Sequence, residues 1–289
     1  YLEVAFNVPL SKRFVYLDLE NSATKVGMRV VAPFRRRLMT GYVVGLREHP
    51  PEDVHLRTIK RCVDKQPVFD AKLVGLAEWV ADTYLCGIGE ALAAIVPSGR
   101  REKTYRDHGK ETENVRQFEL TKEQQFAVNA LTVHLRGNSS DSCGRKKHFY
   151  LRGVTGSGKT AVFLATARQL VATGQSVIYL VPEISLTHQV VDQFRNSFGS
   201  QIAVIHSALT PSQRLKEWSR IIKGTARIVI GARSAVFAPV KNLGLIVLDE
   251  EHEASYKAGS TPRYHARQVA MHRCSQEGAI LVMGSATPS

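Results

Sequence analysis

The chain of 289 residues is 44% hydrophobic and 22% charged. That is enough apolar material for about two domains at ~100–200 residues each, and it is spread too evenly for a disordered chain. Its longest apolar runs, such as Ala91 to Val96, fall far short of the ~20 residues that span a bilayer, and the start, from Tyr1 to Phe6, has no signal-peptide pattern. A formal charge of +13 and a pI near 9.7 point to a polyanionic partner, with basic excess in both halves of the chain.

Cys62, Cys86, Cys143 and Cys274 form no C-x-x-C pair and have no histidine at ligand spacing, so reduced cytosolic thiols are expected and a metal site is not. Because the chain opens on Tyr1 rather than Met, a preceding segment is also expected.

Residues 1 to about 66 show short strands between turns: Phe14–Leu17, Met28–Ala32 ending before Pro33, and Gly41–Val44. This spacing predicts a small β-rich barrel or sandwich, with Arg35-Arg36-Arg37 in a turn that is either solvated or set against phosphate. From Ala71 to Leu85, Leu73, Val74, Leu76, Ala77, Val80, Ala81 and Tyr84 recur at helical spacing. After Pro97 the composition turns polar and charged, which predicts a β-rich domain over 1–97 and a linker over 98–118.

Beyond Leu120 the pattern changes to apolar strands alternating with helical segments. The strands are His148–Leu151, Val177–Val181, Ile202–Ile205, Arg227–Ile230, Leu245–Leu248 and Ala279–Met283. Such runs predict an α/β domain over 119–289, built on a parallel sheet covered on both faces.

Gly153-Val154-Thr155-Gly156-Ser157-Gly158-Lys159-Thr160 satisfies G-x-x-x-x-G-K-[ST] between a predicted strand and a helix over Ala161–Val171. The glycines let backbone N–H groups curl around phosphate at the positive end of that helix. Lys159 is placed to reach the β- and γ-phosphates, and Thr160 to offer its hydroxyl to Mg²⁺. A P-loop also needs a carboxylate on a neighbouring strand. Leu245–Leu248 runs into Asp249-Glu250-Glu251-His252, making Asp249 the candidate for the Mg²⁺ sphere and Glu250 the candidate for activating the attacking water. No Asn-Lys-x-Asp motif specifies guanine.

With Gly284-Ser285-Ala286-Thr287-Pro288 added, the set resembles the first RecA-like motor domain of superfamily 2 helicases. Four further phrases narrow the resemblance to the PriA family of bacterial primosomal replication-restart helicases, and it extends over nearly the whole chain. They are Leu120-Thr121-Lys122-Glu123-Gln124, Val181-Pro182-Glu183-Ile184-Ser185-Leu186-Thr187, Ile230-Gly231-Ala232-Arg233-Ser234-Ala235 and Tyr264-His265-Ala266-Arg267. The resemblance implies an ATP-dependent 3′-to-5′ DNA helicase using ATP and Mg²⁺, whose β-rich domain binds 3′ DNA ends. It implies forked and single-stranded DNA, single-stranded DNA-binding protein and other primosome proteins as partners, and a cytoplasmic, nucleoid-associated location without a membrane.

In that family the glutamine of the first phrase reads adenine, which maps onto Gln124; by its position at a helix start, Gln124 is equally a capping residue. Arg233 follows a buried strand and is a candidate for DNA phosphate. Tyr256, Lys257, Tyr264 and Arg267 interleave rings with cations, and the resemblance implies a loop coupling DNA to hydrolysis. From the residues alone, packing of both tyrosines against the sheet is an equal reading.

Relatives in the family carry an Asp between Phe14 and Tyr16 that helps hold the terminal 3′ hydroxyl, whereas Val15 has no acceptor. The linker is too short for the family's winged-helix domain. Ser289 falls within the third motif, so the second motor domain, its arginine finger and its zinc-binding cysteines are expected beyond it. The alternative expectation is a module that binds fork DNA and nucleotide without hydrolysing ATP.

Overall fold

The computed structural model describes residues 1–18, 23–49, 56–99, 119–136, 148–154, 156–182 and 188–286. Thr155, residues 183–187, Cys143, Thr287-Pro288 and all of the 98–118 interval except Ser98 and Gly99 lie outside them. The chain forms two compact units. The first is Tyr1–Glu102 with Thr210–Ser219 and Gly259–Tyr264; the second is Lys103–Leu209, Arg220–Ala258 and His265–Ser289.

Six strands build the first unit: β1 (Leu2–Phe6), β2 (Phe14–Leu17), β3 (Arg29–Phe34), β4 (Arg37–Leu46), β5 (Arg57–Thr58) and β6 (Arg61–Cys62). Their order is β5-β2-β1-β4-β3-β6. Because β5 and β6 are separated only by Ile59 and Lys60, whose N–H groups donate to Leu17 O and Val31 O, the two edges of the sheet meet and the sheet closes on itself. Closure removes the open edges that a small sheet would otherwise expose.

Inward-facing Leu2, Val4, Phe6, Tyr16, Val30, Ala32, Phe34, Val43 and Ile59 fill the barrel, with Phe6 edge-on to Phe14 and Tyr16. Strand β3 continues through Pro33, where the sequence predicts a stop. Pairing with β6 involves only Val30 and Val31, so the missing N–H of Pro33 falls past the end of that ladder, and its carbonyl accepts from the Tyr16 hydroxyl at 2.8 Å. The basic tripeptide lies at the β3–β4 turn, where Arg57 Nη1 donates to Arg35 O at 3.1 Å. Val15 lies on β2 opposite Glu3.

Two helices follow. In α1 (Ala71–Thr83), Asp70 caps the N-terminus by accepting from the Leu73 N–H at 2.9 Å, and the apolar stripe read from sequence is the buried face. It packs on α2 (Ile88–Ile95), whose Glu90 carboxylate accepts from the Gly87 N–H at 2.8 Å. A buried ion pair ties the barrel to the residues after α2. Arg29 forks onto Asp64 (Nε to Oδ2 2.9 Å, Nη2 to Oδ1 2.7 Å), and two further N–H groups, on Nη1 and Nη2, reach Pro97 O and Gly99 O. Burial disfavours the guanidinium charge, but Asp64 more than compensates, so the Arg29 pKa is held above its ordinary value.

The second unit carries α3 (Lys122–Arg136), β7 (His148–Arg152), α4 (Lys159–Ala172), β8 (Ser176–Leu180), α5 (His188–Phe198), β9 (Ile202–Ile205), the end of α6 (Pro211–Lys223), β10 (Ile228–Gly231), β11 (Leu243–Leu248), α7 (Ala266–Glu277) and β12 (Ile280–Ser285). Every strand pair is parallel, in the order β7-β12-β11-β8-β10-β9. Strands β8, β11 and β12 are buried along their full length, as expected of a sheet covered on both faces. One core joins α3, α4 and α5 to the sheet through Val128, Phe163, Leu170, Phe194, Tyr179 and Val247. Helix α7 packs on β11 and β12. No helix among the described residues is long and apolar enough to cross a membrane.

Removing one partner of a buried pair leaves an uncompensated charge, typically at a cost of ~3–5 kcal/mol. Asp64→Ala is therefore expected to lower unfolding free energy by about that much in a denaturant titration; a change below ~1 kcal/mol would contradict the placement of Arg29.

Candidate functional site

The P-loop joins β7 to α4 at the carboxyl edge of the sheet, where ligands of open α/β folds bind. Gly158 is the N-cap of α4 with φ +83°, a conformation that favours glycine, and a Cβ there would stand 2.3 Å from the Gln124 amide nitrogen. Gln124 is bonded at both ends of its side-chain amide. Its Oε1 accepts from the Thr121 N–H at 3.0 Å, Thr121 Oγ1 accepts from the Gln124 N–H at 3.3 Å, and Nε2 donates to Ser157 O at 3.1 Å. Gln124 therefore completes a capping box at the start of α3 and also fastens that helix to the P-loop.

Lys159 is nearly buried. Its Nζ donates to Gly153 O at 2.6 Å and lies 3.5 Å from Glu250 Oε1. Asp249 and Glu250 follow β11 and line the same cleft of about 370 Å³ as Gly156, Gly158, Lys159 and Thr160. The carboxylate strand is not the neighbour of the P-loop strand, as the sequence reading required, because β12 stands between them. The gap is bridged by Gly284 on β12. A Cβ there would meet Asp249 Oδ1 at 3.0 Å and the Phe163 ring at 3.1 Å, so a hydrogen in place of a side chain leaves room for the carboxylate. The Gly153 N–H donates to Ser285 O, and the Glu251 N–H to Gly284 O, holding both motifs to β12.

Burial raises the Asp249 pKa and the adjacent Glu250 charge adds to this, while a hydrogen bond from Tyr179 and the Lys159 ammonium oppose it. Tyr179 on β8, unremarked in the sequence, donates its hydroxyl to Asp249 Oδ2 at 2.6 Å. Burial and the neighbouring carboxylate hold its pKa well above the ordinary phenol value, so it remains a donor. Within the apolar run Val177–Val181 the Tyr179 hydroxyl is the one polar side-chain group, and that is the signal that marks it. Glu250 adopts φ +45°, a left-handed conformation for a non-glycine residue, while its N–H donates to Asp249 Oδ1 at 3.0 Å. His252 Nδ1 lies 3.0 Å from Ser285 Oγ and 3.8 Å from Glu250.

The residues expected at DNA are arranged differently from the sequence reading. Tyr256 is fully buried, its hydroxyl donating to Leu180 O at 3.1 Å and Asp249 O at 2.6 Å; Tyr264, counted with the first unit, is 4% exposed. Both rings are buried, and the Tyr256 hydroxyl is bonded to the backbone at the end of β8 and after β11. Arg233 donates to the carbonyls of Ser255 and Lys257. Arg267 pairs with the fully buried Glu251 carboxylate at 3.1 Å. Lys257 is exposed. The segment after the acidic motif is thus pinned to the sheet by one tyrosine and one arginine.

Removing a buried aromatic ring costs ~3–5 kcal/mol, whereas loss of a single hydroxyl hydrogen bond costs ~1 kcal/mol. Tyr256→Ala is expected to destabilise the protein by the larger amount and Tyr256→Phe by the smaller, measured by chemical denaturation. An alanine variant as stable as the parent would return the ring to the surface.

Residues 3–97 match the 3′ DNA-binding domain model of PriA, and residues 123–289 match the DEAD/DEAH box helicase model. The replication restart protein PriA of Treponema pallidum is 47% identical over 299 residues, covering 100% of this chain and 44% of that protein. That of Haemophilus influenzae is 31% identical over 359 residues, covering 100% and 49%, and that of Bacillus subtilis is 45% identical over 190 residues, covering 65% and 23%. The chain thus spans less than half the length of these relatives. Among solved structures, RecG bound to a three-way DNA junction aligns with a TM-score of 0.44 at 24% identity, covering 60% of this chain and 21% of that one. With a RecA-like α/β unit that carries a P-loop opposite an acidic motif, preceded by a β-rich 3′ DNA-binding domain, the chain belongs to the DEAD/DEAH box helicase family and is similar to the PriA proteins along its whole length.

Proposed function

We propose that the chain is the nucleotide-binding and DNA-engaging portion of an ATP-dependent 3′-to-5′ DNA helicase of the primosome, which recognises stalled replication forks and restarts synthesis. One observation carries this reading: Lys159 and Thr160 share a single cleft with Asp249 and Glu250, within the region that matches the helicase model. The 3′ DNA-binding match in the first unit supplies the second half of the reading, contact with a DNA end.

The donor set suits Mg²⁺, a hard cation that takes one or two protein oxygens and completes its shell with water and phosphate. The Thr160 hydroxyl and the Asp249 carboxylate provide those oxygens, and no cluster of three or more His, Cys, Asp or Glu among the described residues suggests a different metal. When bound, Mg²⁺ neutralises charge on the β- and γ-phosphates. The protein's own steps follow from its present contacts. Lys159 exchanges Gly153 O and Glu250 for phosphate oxygens, and Glu250, released from the lysine, orients the attacking water. Backbone N–H groups of Gly156, Ser157 and Gly158 cradle the phosphates. Gln124, already fixed against the P-loop, presents its amide to adenine.

At the DNA side, Lys257 supplies an exposed cation, while Arg233 holds the segment that carries it and Arg267 pairs with Glu251 of the acidic motif. Forked and single-stranded DNA are the nucleic-acid partners in this reading, with single-stranded DNA-binding protein and other primosome proteins beside them.

The test is nucleotide binding and ATP hydrolysis with and without forked DNA, for the parent chain and Lys159→Ala. Loss of a charge-assisted contact to phosphate is expected to weaken nucleotide binding about tenfold or more. Equal affinity in the two proteins would refute the assignment.

A further inference from the structure

The Asp249 carboxylate, a candidate oxygen donor to a metal, touches a buried hydroxyl. Tyr179 donates to Asp249 Oδ2 at 2.6 Å, so the one proton of the phenol is committed to that carboxylate.

We propose that Tyr179 is a positioning residue that sets the direction of the metal-anchoring Asp249 carboxylate. On Asp249, Tyr179 occupies part of Oδ2, and the Glu250 N–H occupies part of Oδ1 at 3.0 Å, which fixes the plane of the carboxylate. An ionised carboxylate has about four acceptor positions, so two remain for an ion or its water.

The tyrosine is fixed in turn. It is 1% exposed, and its ring is wedged between Phe163 (centroids 5.7 Å apart) and Phe194 (4.8 Å). Its backbone is paired on both sides, with Val247 of β11 and Ile230 of β10. The hydroxyl therefore arrives from the rigid centre of the sheet, whereas Asp249 stands on a segment at its edge. Partners behind metal ligands commonly change metal affinity or activity by 10–100-fold when removed.

This inference rests on the nucleotide-site reading above, and the experiment separates the two. Tyr179→Phe keeps the ring and removes only the oxygen. A fluorescent adenine nucleotide is titrated into the parent and the variant, first in chelator and then across a Mg²⁺ series. The variant is expected to need about tenfold or more Mg²⁺ for the same gain in affinity, with its chelator affinity unchanged. In an Asp249→Ala background, the second substitution should add little to the Mg²⁺ requirement, because its main target is gone.

A Mg²⁺ requirement equal to the parent's would overturn the positioning role and leave the nucleotide site standing. Equal weakening with and without Mg²⁺ would also overturn it, since that marks a general packing defect. If the parent itself binds no nucleotide, both the site reading and this role fall together.

Discussion

A carboxylate that must remain available at the edge of a parallel sheet whose central strands are buried is the constraint on which the second unit depends. Burial works against the charge of Asp249, and the neighbouring Glu250 adds to the difficulty. The fold answers with a short hydrogen bond from Tyr179, the ammonium of Lys159 near Glu250, and a glycine at position 284 that leaves Asp249 room beside β12. Each partner comes from a different element, so the site exists only when β8, β11, β12 and α4 are assembled together.

The same carboxylate residue also anchors the segment that follows it. The Asp249 carbonyl accepts from the buried Tyr256 hydroxyl, and Arg233 reaches the carbonyls on either side of Tyr256. A shift of this segment would therefore pull on the backbone of the residue that lines the nucleotide cleft. In the first unit the organising interaction is the Arg29–Asp64 fork, where two guanidinium bonds go to Asp64 and two more fasten β3 to Pro97 and Gly99 after α2.

Much of the architecture was legible because it depends on local pattern. The apolar stripe from Leu73 to Ala81, the unbroken runs Ile202–Ile205 and Leu245–Leu248, and the P-loop spelling all mark elements that the structure contains. Strand order was not legible. Placing β12 between β7 and β11 depends on how crossovers pack, and Gly284 acquires its meaning only from that order. Burial of aromatic residues was equally hidden, since Tyr256 and Tyr264 sit among cations in sequence while their rings turn inward. Pro33 misled for a physical reason as well: it ends a strand only where its absent N–H is needed, and β6 is too short to need it.

Whether Lys159, Thr160 and Asp249 form one site for a Mg²⁺-bound nucleotide is tested most directly by a crystal structure with a non-hydrolysable ATP analogue and Mg²⁺. The expected result is Lys159 Nζ moved from Gly153 O to the β- and γ-phosphate oxygens, with Thr160 Oγ1 and Asp249 both directed at the metal. Nucleotide bound elsewhere, or Lys159 still on Gly153 O with phosphate in the cleft, would contradict that single site.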